Sequence, residues 1–242
     1  KSGEEQTITY DKLVIATGAR ANMPPIPGIK LDGISTLVSM ADTDYLRAIR
    51  DKGEVKKAVV IGGGLIGVEA CEALQGSGIQ VTVVEAVDQV LTFLDWDLAK
   101  LVENHMKAKG AQVLTGIGVA EFVGDNGKLT GVKLADGTVL DCSLAVMAIG
   151  VRPNSELAKE AGLAIGKFGG ITVDQFMQTT DADIYAAGDC VEIPNRITGD
   201  AVFAPMGDLA NLEGRVIGEI LISGNVATFP GTIHTGICKV FE

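Results

Sequence analysis

The sequence predicts an α/β fold built on parallel strands, and three observations carry that prediction. First, Lys57–Glu85 reads KAVVIGGGLIGVEACEALQGSGIQVTVVE: an apolar β-branched run, a glycine turn, a helix, a short loop and a second apolar run. Second, three further apolar runs end at a glycine turn, at Thr17-Gly18, Gly150 and Gly188. Open parallel sheets place their turns and ligands at such carboxyl ends. Third, glycine is abundant at 31 residues while aromatics make up only 5%. The reading is a Rossmann-like three-layer domain carrying an antiparallel β-ribbon, inserted into a partial second α/β domain.

Taken in order, Gln6–Tyr10 alternates as a short strand, and Lys12–Ala16 forms a second, buried one ending in Thr17-Gly18-Ala19-Arg20. That end is either a ligand position or a plain strand–loop junction. Met23-Pro24-Pro25-Ile26-Pro27-Gly28 is a stiff, polyproline-like connector suited to a crossing between domains. Ser39–Lys52 is a helix with Tyr45, Leu46 and Ile49 on one side, closed by Gly53.

The central unit follows. Ala58–Ile61 suits a strand buried on both faces. Gly62, Gly64 and Gly67 have the spacing G-x-G-x-x-G. The first permits a tight turn, the second lets backbone approach a pyrophosphate, and the third lets the helix pack on the strand. The helix from about Leu65 to Gln75 aims its N–H groups and positive dipole end at the phosphates. Val81–Val84 is the next strand. Glu85 stands at its tip, 18 residues after Gly67, where a carboxylate accepts hydrogen bonds from both hydroxyls of an adenosine ribose. It repels a 2′-phosphate; like charges ~4 Å apart cost on the order of 4 kcal/mol at an effective dielectric near 20. Ala86, Val87 and Asp88 supply no cation to welcome that phosphate. Strand, turn, helix and acidic residue together predict NAD rather than NADP binding.

Asp95–Lys109 is a helix with Leu98, Leu101, Val102, His105 and Met106 expected inward and Trp96 packing in its first turn; His105 reads as a core-edge residue. Ala111–Thr115 is a strand. Val119–Val123, Leu129–Leu134 and Val139–Leu140, joined by Asp125-Asn126-Gly127 and Ala135-Asp136-Gly137-Thr138, form the antiparallel ribbon. Leu144–Ile149 is a buried strand ending at Gly150-Val151-Arg152-Pro153-Asn154, and Ser155 caps a helix to Ala161. Ile171–Val173 is a short strand. Thr179–Asp189 holds a turn, a buried strand and a terminal Gly188-Asp189, where the aspartate is either a helix cap or a partner for a sugar-alcohol hydroxyl. Gly207–Ser223 is a long helix with Leu209, Leu212, Val216, Ile217 and Ile220 inward. The domain limits drawn from these elements are 1–40, 41–165, 166–225 and 226–242.

The formal charge of −11 argues against a nucleic-acid or anionic-membrane partner. No apolar run approaches the roughly 18 residues that span a bilayer, and no signal peptide is visible. The four cysteines, Cys71, Cys142, Cys190 and Cys238, lack metal-ligand or C-x-x-C spacing, and His105 and His234 make no metal site alone. A reducing, cytoplasmic compartment is expected. The chain opens at Lys1 without Met and stops inside a strand-like run, and is read as part of a longer protein.

Thr17-Gly18-Ala19, the Gly62-x-Gly64-x-x-Gly67 turn with Glu85, Ala148-Ile149-Gly150-Val151-Arg152-Pro153-Asn154 and Tyr185-Ala186-Ala187-Gly188-Asp189 occur in this order. The set resembles the FAD-dependent pyridine nucleotide-disulfide oxidoreductases over nearly the whole chain, and the ending resembles the NADH oxidase/coenzyme A-disulfide reductase branch. The resemblance implies an NAD domain inserted into an FAD domain. It assigns Gly62, Gly63, Gly64, Leu65, Ile66, Gly67, Glu85, Ile149 and Gly150 to NAD(H), and Thr17, Gly18, Ala19, Arg20, Gly188 and Asp189 to FAD. Between Arg20 and Arg215, Arg20 is favoured for the flavin phosphates. The FAD adenosine fingerprint and the redox cysteine are expected upstream of Lys1. Glu69 matches a family glutamate near the nicotinamide–flavin contact, or is an ordinary helix glutamate. Residues 226–242 would begin a dimerisation domain.

The implied activity passes hydride from NADH to FAD and on to a disulfide such as coenzyme A disulfide, or to oxygen, in a homodimer. Leu65 stands where many members have an aromatic residue, which favours an alternative: a flavin reductase serving an iron–sulfur or nitrite-reducing partner. A non-catalytic dinucleotide-binding module is the alternative from another class.

Overall fold

The computed structural model describes residues 5–224 and 226–241; the expected domain limits at Lys1, Asn225 and Glu242 fall outside them. Up to the central sheet's last strand the elements are β1 (Leu13–Ile15), β2 (Ala19–Ala21), β3 (Ile34–Ser35), α1 (Met40–Lys52), β4 (Lys57–Ile61), α2 (Leu65–Gly76), β5 (Gln80–Val84), α3 (Trp96–Ala108), β6 (Gln112–Leu114), β7 (Val119–Asp125), β8 (Lys128–Leu134), β9 (Val139–Asp141) and β10 (Leu144–Met147). Then come β11 (Val151–Pro153), α4 (Glu156–Glu160), β12 (Ile171–Thr172), β13 (Ile184–Ala186), β14 (Val191–Pro194), β15 (Ala201–Val202) and α5 (Gly207–Ser223).

The glycine fingerprint lies in a five-stranded parallel sheet of order β3-β10-β4-β5-β6. Side chains of a strand alternate between faces, so β4 serves two cores at once. Ala58 and Val60 face one layer with Val81, Val83, Leu144 and Val146, packed under α2 and α3 through Val68, Cys71, Leu74 and Met106. Val59 and Ile61 face the other with Ala145 and Met147, packed against Phe122, Leu129, Val132 and Leu134 of the antiparallel β7-β8-β9 ribbon. Helices, sheet and ribbon are the three layers. Each fully buried Val or Leu contributes about 1.5–3 kcal/mol, which is why the continuous apolar strands sit centrally. α1 starts with a capping box, Ser39 and Asp42 satisfying each other's backbone N–H, and ends at left-handed Gly53.

The chain divides into two compact units, one holding Ala21–Gly150 and the segment from Ile237, the other the residues up to Arg20 with Val151–Gly236. These compact units divide at 20/21 and 150/151, whereas the limits drawn from sequence stand at 40/41 and 165/166. β3 joins the central sheet through β10, and the connector before it packs in the same compact unit. The two ends of that unit meet where the Asn22 N–H donates to the Gly150 carbonyl at 2.9 Å. From Ile237 the chain lies against α2, with the Phe241 N–H donating to Glu72 Oε2 at 2.7 Å and Lys239 3.5 Å from the same carboxylate.

In the other unit β1 pairs in parallel with β13, β2 lies beside β11 in a second two-stranded sheet, and β12-β14-β15 form a small sheet. They share a core of Ile171, Met177, Ile184, Ala186, Cys190, Ile193, Leu209, Ile217 and Ile220.

Several expectations are corrected. Gln6–Tyr10 forms no strand, and Ile8 lies 80% exposed. β1 forms but is only partly buried. Ser155 gives α4 no side-chain cap; its hydroxyl donates instead to the Gly169 carbonyl at 2.6 Å. On α3 the inward stripe is Ala99, Glu103 and Met106, leaving Leu98 and Leu101 exposed. Trp96 is exposed too, with the Lys100 ammonium 5.8 Å from its ring centre. On α5, Glu213 takes the inward place expected of Leu212, which is exposed.

Candidate functional site

The sheet sets the candidate nucleotide site. Gly62 leaves the carboxyl end of β4 with φ 105°, a conformation that favours glycine. A Cβ on Gly62 would strike the Ala148 carbonyl oxygen, and one on Gly67 would strike the Gly62 carbonyl oxygen. The first and third glycines therefore serve close packing of turn, helix and neighbouring strand. A Cβ on Gly64 would meet nothing within 4 Å, so that position opens outward, as approach of a pyrophosphate requires. Gly64 is the N-cap of α2, makes no side-chain cap hydrogen bond and is followed by no acidic residue in the first turn. The first-turn N–H groups around Leu65, Ile66 and Gly67 are left for an anion.

Glu85 stands at the end of β5. Its Oε2 accepts from the Gly63 N–H at 2.6 Å and its Oε1 from the Val87 N–H at 3.0 Å. Ile149 packs beside Gly62, its Cγ2 3.2 Å from where a Cβ would stand, and Gly150 follows in the left-handed region with φ 82°. All nine residues assigned to NAD thus gather at the carboxyl ends of β4, β5 and β10. Glu69 lies exposed on the second turn of α2, where its carboxylate helps to raise the pKa of the Cys238 thiol.

The second set gathers in the other unit. β1 and β13 run parallel with Ile15 opposite Ala186, and the Ala187 N–H donates to the Ile15 carbonyl at 3.0 Å. Thr17-Gly18 and Gly188-Asp189 consequently leave adjacent strand ends on the same edge. Asn154 fastens the first turn: Thr17 Oγ1 donates to its carbonyl at 2.5 Å, its Nδ2 donates to the Thr17 carbonyl at 2.9 Å, and its N–H donates to the Gly18 carbonyl. The Arg20 guanidinium is held by Glu156 in an ion pair and by Asn154 Oδ1. The Asp189 carboxylate makes no hydrogen bond among the described residues, and burial raises its pKa.

Two residues of this edge escaped sequence reasoning. In the sequence Asn154 stands only as the end of the Gly150-Val151-Arg152-Pro153-Asn154 turn. Glu213 accepts the Gly188 N–H at 2.6 Å; the available signal was a glutamate four residues after Leu209 and four before Ile217, on an apolar face.

Three of the four cysteines, Cys71, Cys142 and Cys190, are buried, and Cys238 is half-buried. Burial, helped by the Glu72 carboxylate, pushes the Cys71 thiol up to about 12, and burial with Asp141 does the same to Cys142 at about 12. Burial and Glu69 raise Cys238. Cys190 is fully buried and donates to the Ala187 carbonyl at 3.3 Å. A thiol kept protonated is a small apolar side chain.

Known proteins resemble the chain along its length. An NADH oxidase of Methanocaldococcus jannaschii is 39% identical over 99% of this chain and 53% of that protein. An NAD-dependent persulfide reductase from A. fulgidus superimposes with a TM-score of 0.95 at 47% identity, over 100% of this chain and 44% of that one. A FAD-dependent pyridine nucleotide-disulphide oxidoreductase from Desulfovibrio vulgaris gives 0.91 at 41% identity, over 100% of this chain and 61% of that one. The chain therefore spans about half the length of the relatives it matches. The family model for pyridine nucleotide-disulphide oxidoreductases matches residues 1–202. Fold, strand-end glycines and this match agree, and the chain belongs to the pyridine nucleotide-disulphide oxidoreductase family.

Proposed function

We propose that this chain is the NADH-binding part of an FAD-dependent oxidoreductase that passes hydride from NADH to FAD and on to a disulfide, a persulfide or oxygen. The observation that carries the reading is the Glu85 carboxylate, fixed by the Gly63 and Val87 N–H groups beside the open first turn of α2. The residues fit the dinucleotide. Gly64 leaves room for the pyrophosphate, the α2 N–H groups receive its charge, and Glu85 takes the ribose hydroxyls while repelling a 2′-phosphate. They also fit part of a flavin site, since Asp189 offers an unpaired carboxylate beside the Thr17-Gly18 turn. FAD, when bound, supplies the two-electron chemistry between nicotinamide and acceptor. The chain's own task is to bind and orient the nicotinamide nucleotide. The raised thiols of Cys71, Cys142 and Cys238 and the buried Cys190 leave disulfide exchange to a cysteine elsewhere in the whole protein.

Calorimetric titration with NADH and NADPH tests the reading. NADH binds, NADPH binds at least about tenfold more weakly, and Glu85→Ala loses NADH affinity about tenfold and narrows the gap. Equal affinity for both nucleotides would overturn the preference, and binding of neither would overturn the site. A flavin spectrum in the whole protein separates an oxidoreductase from a bare nucleotide-binding module. Turnover with coenzyme A disulfide and with oxygen, against turnover only with an iron–sulfur partner, separates the two enzymatic readings.

The whole protein is further proposed to be a cytoplasmic homodimer. The free cysteines, Cys71, Cys142, Cys190 and Cys238, support a reducing setting, and light scattering of the whole protein measures the dimer. No helix among the described residues is long and apolar enough to cross a membrane.

A further inference from the structure

A buried carboxyl stands behind the Gly188-Asp189 turn. Glu213 is 2% exposed, on the inward face of α5 between Leu209 and Ile217. A carboxyl in such a place costs several kcal/mol unless it is hydrogen-bonded, and a leucine would fill the core at no such cost. Its visible compensation is the 2.6 Å hydrogen bond from the Gly188 N–H. Gly188 holds φ 81° and approaches α5 closely, a Cβ there standing 3.5 Å from the Ala210 Cβ. Ala210 and Glu213, three residues apart on a helix, lie on one face. The turn is therefore seated at one spot, with a small residue admitting it and a carboxyl gripping its N–H.

Asp189, the next residue, carries a carboxylate without a hydrogen bond among the described residues. Burial raises the pKa of both carboxyls, and the Asp189 charge raises that of Glu213 further. An arrangement that brings two acids together and leaves one unsatisfied is relieved by a hydroxyl donor from outside.

We propose that Glu213 is the positioning residue of this turn: it clamps the Gly188 N–H to α5 and so aims the Asp189 carboxylate at a polyol hydroxyl of the flavin. The proposal rests on the flavin-binding reading above. Glu213 acts through Gly188 and Asp189 and touches no cofactor atom itself.

The test compares FAD affinity, read by flavin fluorescence, of the whole protein with its Glu213→Gln and Glu213→Leu variants, and titrates each with NADH. The amide oxygen of glutamine still accepts the Gly188 N–H, so Glu213→Gln holds FAD within about twofold of wild type. Leucine cannot accept it, so Glu213→Leu weakens FAD by about tenfold with NADH affinity unchanged. In an Asp189→Ala background Glu213→Leu has no further effect on FAD, because the carboxylate it aims is gone. FAD affinity unchanged in Glu213→Leu would overturn the proposal. So would equal losses in both Glu213 variants, or a full additional loss in the Asp189→Ala background. A wild-type protein that binds NADH but no flavin would instead overturn the flavin reading, with this inference falling along with it.

Discussion

At Gly67, a single methyl group decides whether the helix can meet the strand. A Cβ there would strike the Gly62 carbonyl oxygen, which is backbone and cannot swing aside. Gly67→Ala should therefore cost about 1–3 kcal/mol through overpacking and weaken NADH binding by displacing the turn. Urea denaturation and nucleotide titration measure both, and an unchanged midpoint with unchanged affinity would refute the packing account. At this scale legibility follows sequence distance. The glycine fingerprint and Glu85 could be read directly because the turn, the helix start and the strand tip are consecutive. The partnerships of Thr17 with Asn154, 137 residues apart, and of Gly188 with Glu213, 25 residues apart, could not. The pairing of β2 with β11 and the seating of α5 create those contacts, and no local pattern announces them.

Among the elements, α3 shows why an apolar periodicity can select the wrong stripe. Counting hydrophobic residues favours Leu98 and Leu101, yet the buried stripe carries Glu103, whose carboxylate is gripped by Lys100 at 2.6 Å and Lys107 at 2.7 Å. A charged residue with partners of its own on both sides can be buried, so composition alone misplaces the face. Burial alone would raise the Glu103 pKa, but the hydrogen bonds from both lysines overcome it and hold the carboxyl below its ordinary value of 4.5. A depressed folded value means stability that is present above 4.5 and lost as pH falls through the folded value. Glu103→Gln should accordingly lower stability by about 1–2 kcal/mol at neutral pH, with the difference closing in acid, below the depressed folded value. Thermal unfolding at the two pH values measures this; a gap that persists in acid would sink the explanation. The long elements were legible because α1, α2, β4 and β5 carry caps, glycines and unbroken apolar runs. β2, β3, β11, β14 and β15, of two to four residues each, are strands only because a partner lies alongside.

For the whole molecule, the order of landmarks disclosed the insertion of one domain in another, while its seams had to be found in space. The proline-rich connector suggested a crossing, but the pairing of β3 with β10 holds the chain after it in the compact unit that runs from Ala21 to Gly150. Residues 21–150, expressed alone, should fold cooperatively and bind NADH with an affinity within about tenfold of the complete chain, because they hold their own core and all nine assigned positions. Circular dichroism and calorimetry of that segment test it, and a disordered or non-binding product would show that the unit depends on the rest. The hydrogen bond from Asn22 to Gly150 then acquires an evolutionary meaning. To its host, a segment whose two ends nearly touch is no longer than a hairpin loop, so a lineage can trade it as one piece. Under the proposed function, reductant preference, written in Glu85 and its glycine turn, becomes heritable separately from the flavin chemistry it feeds.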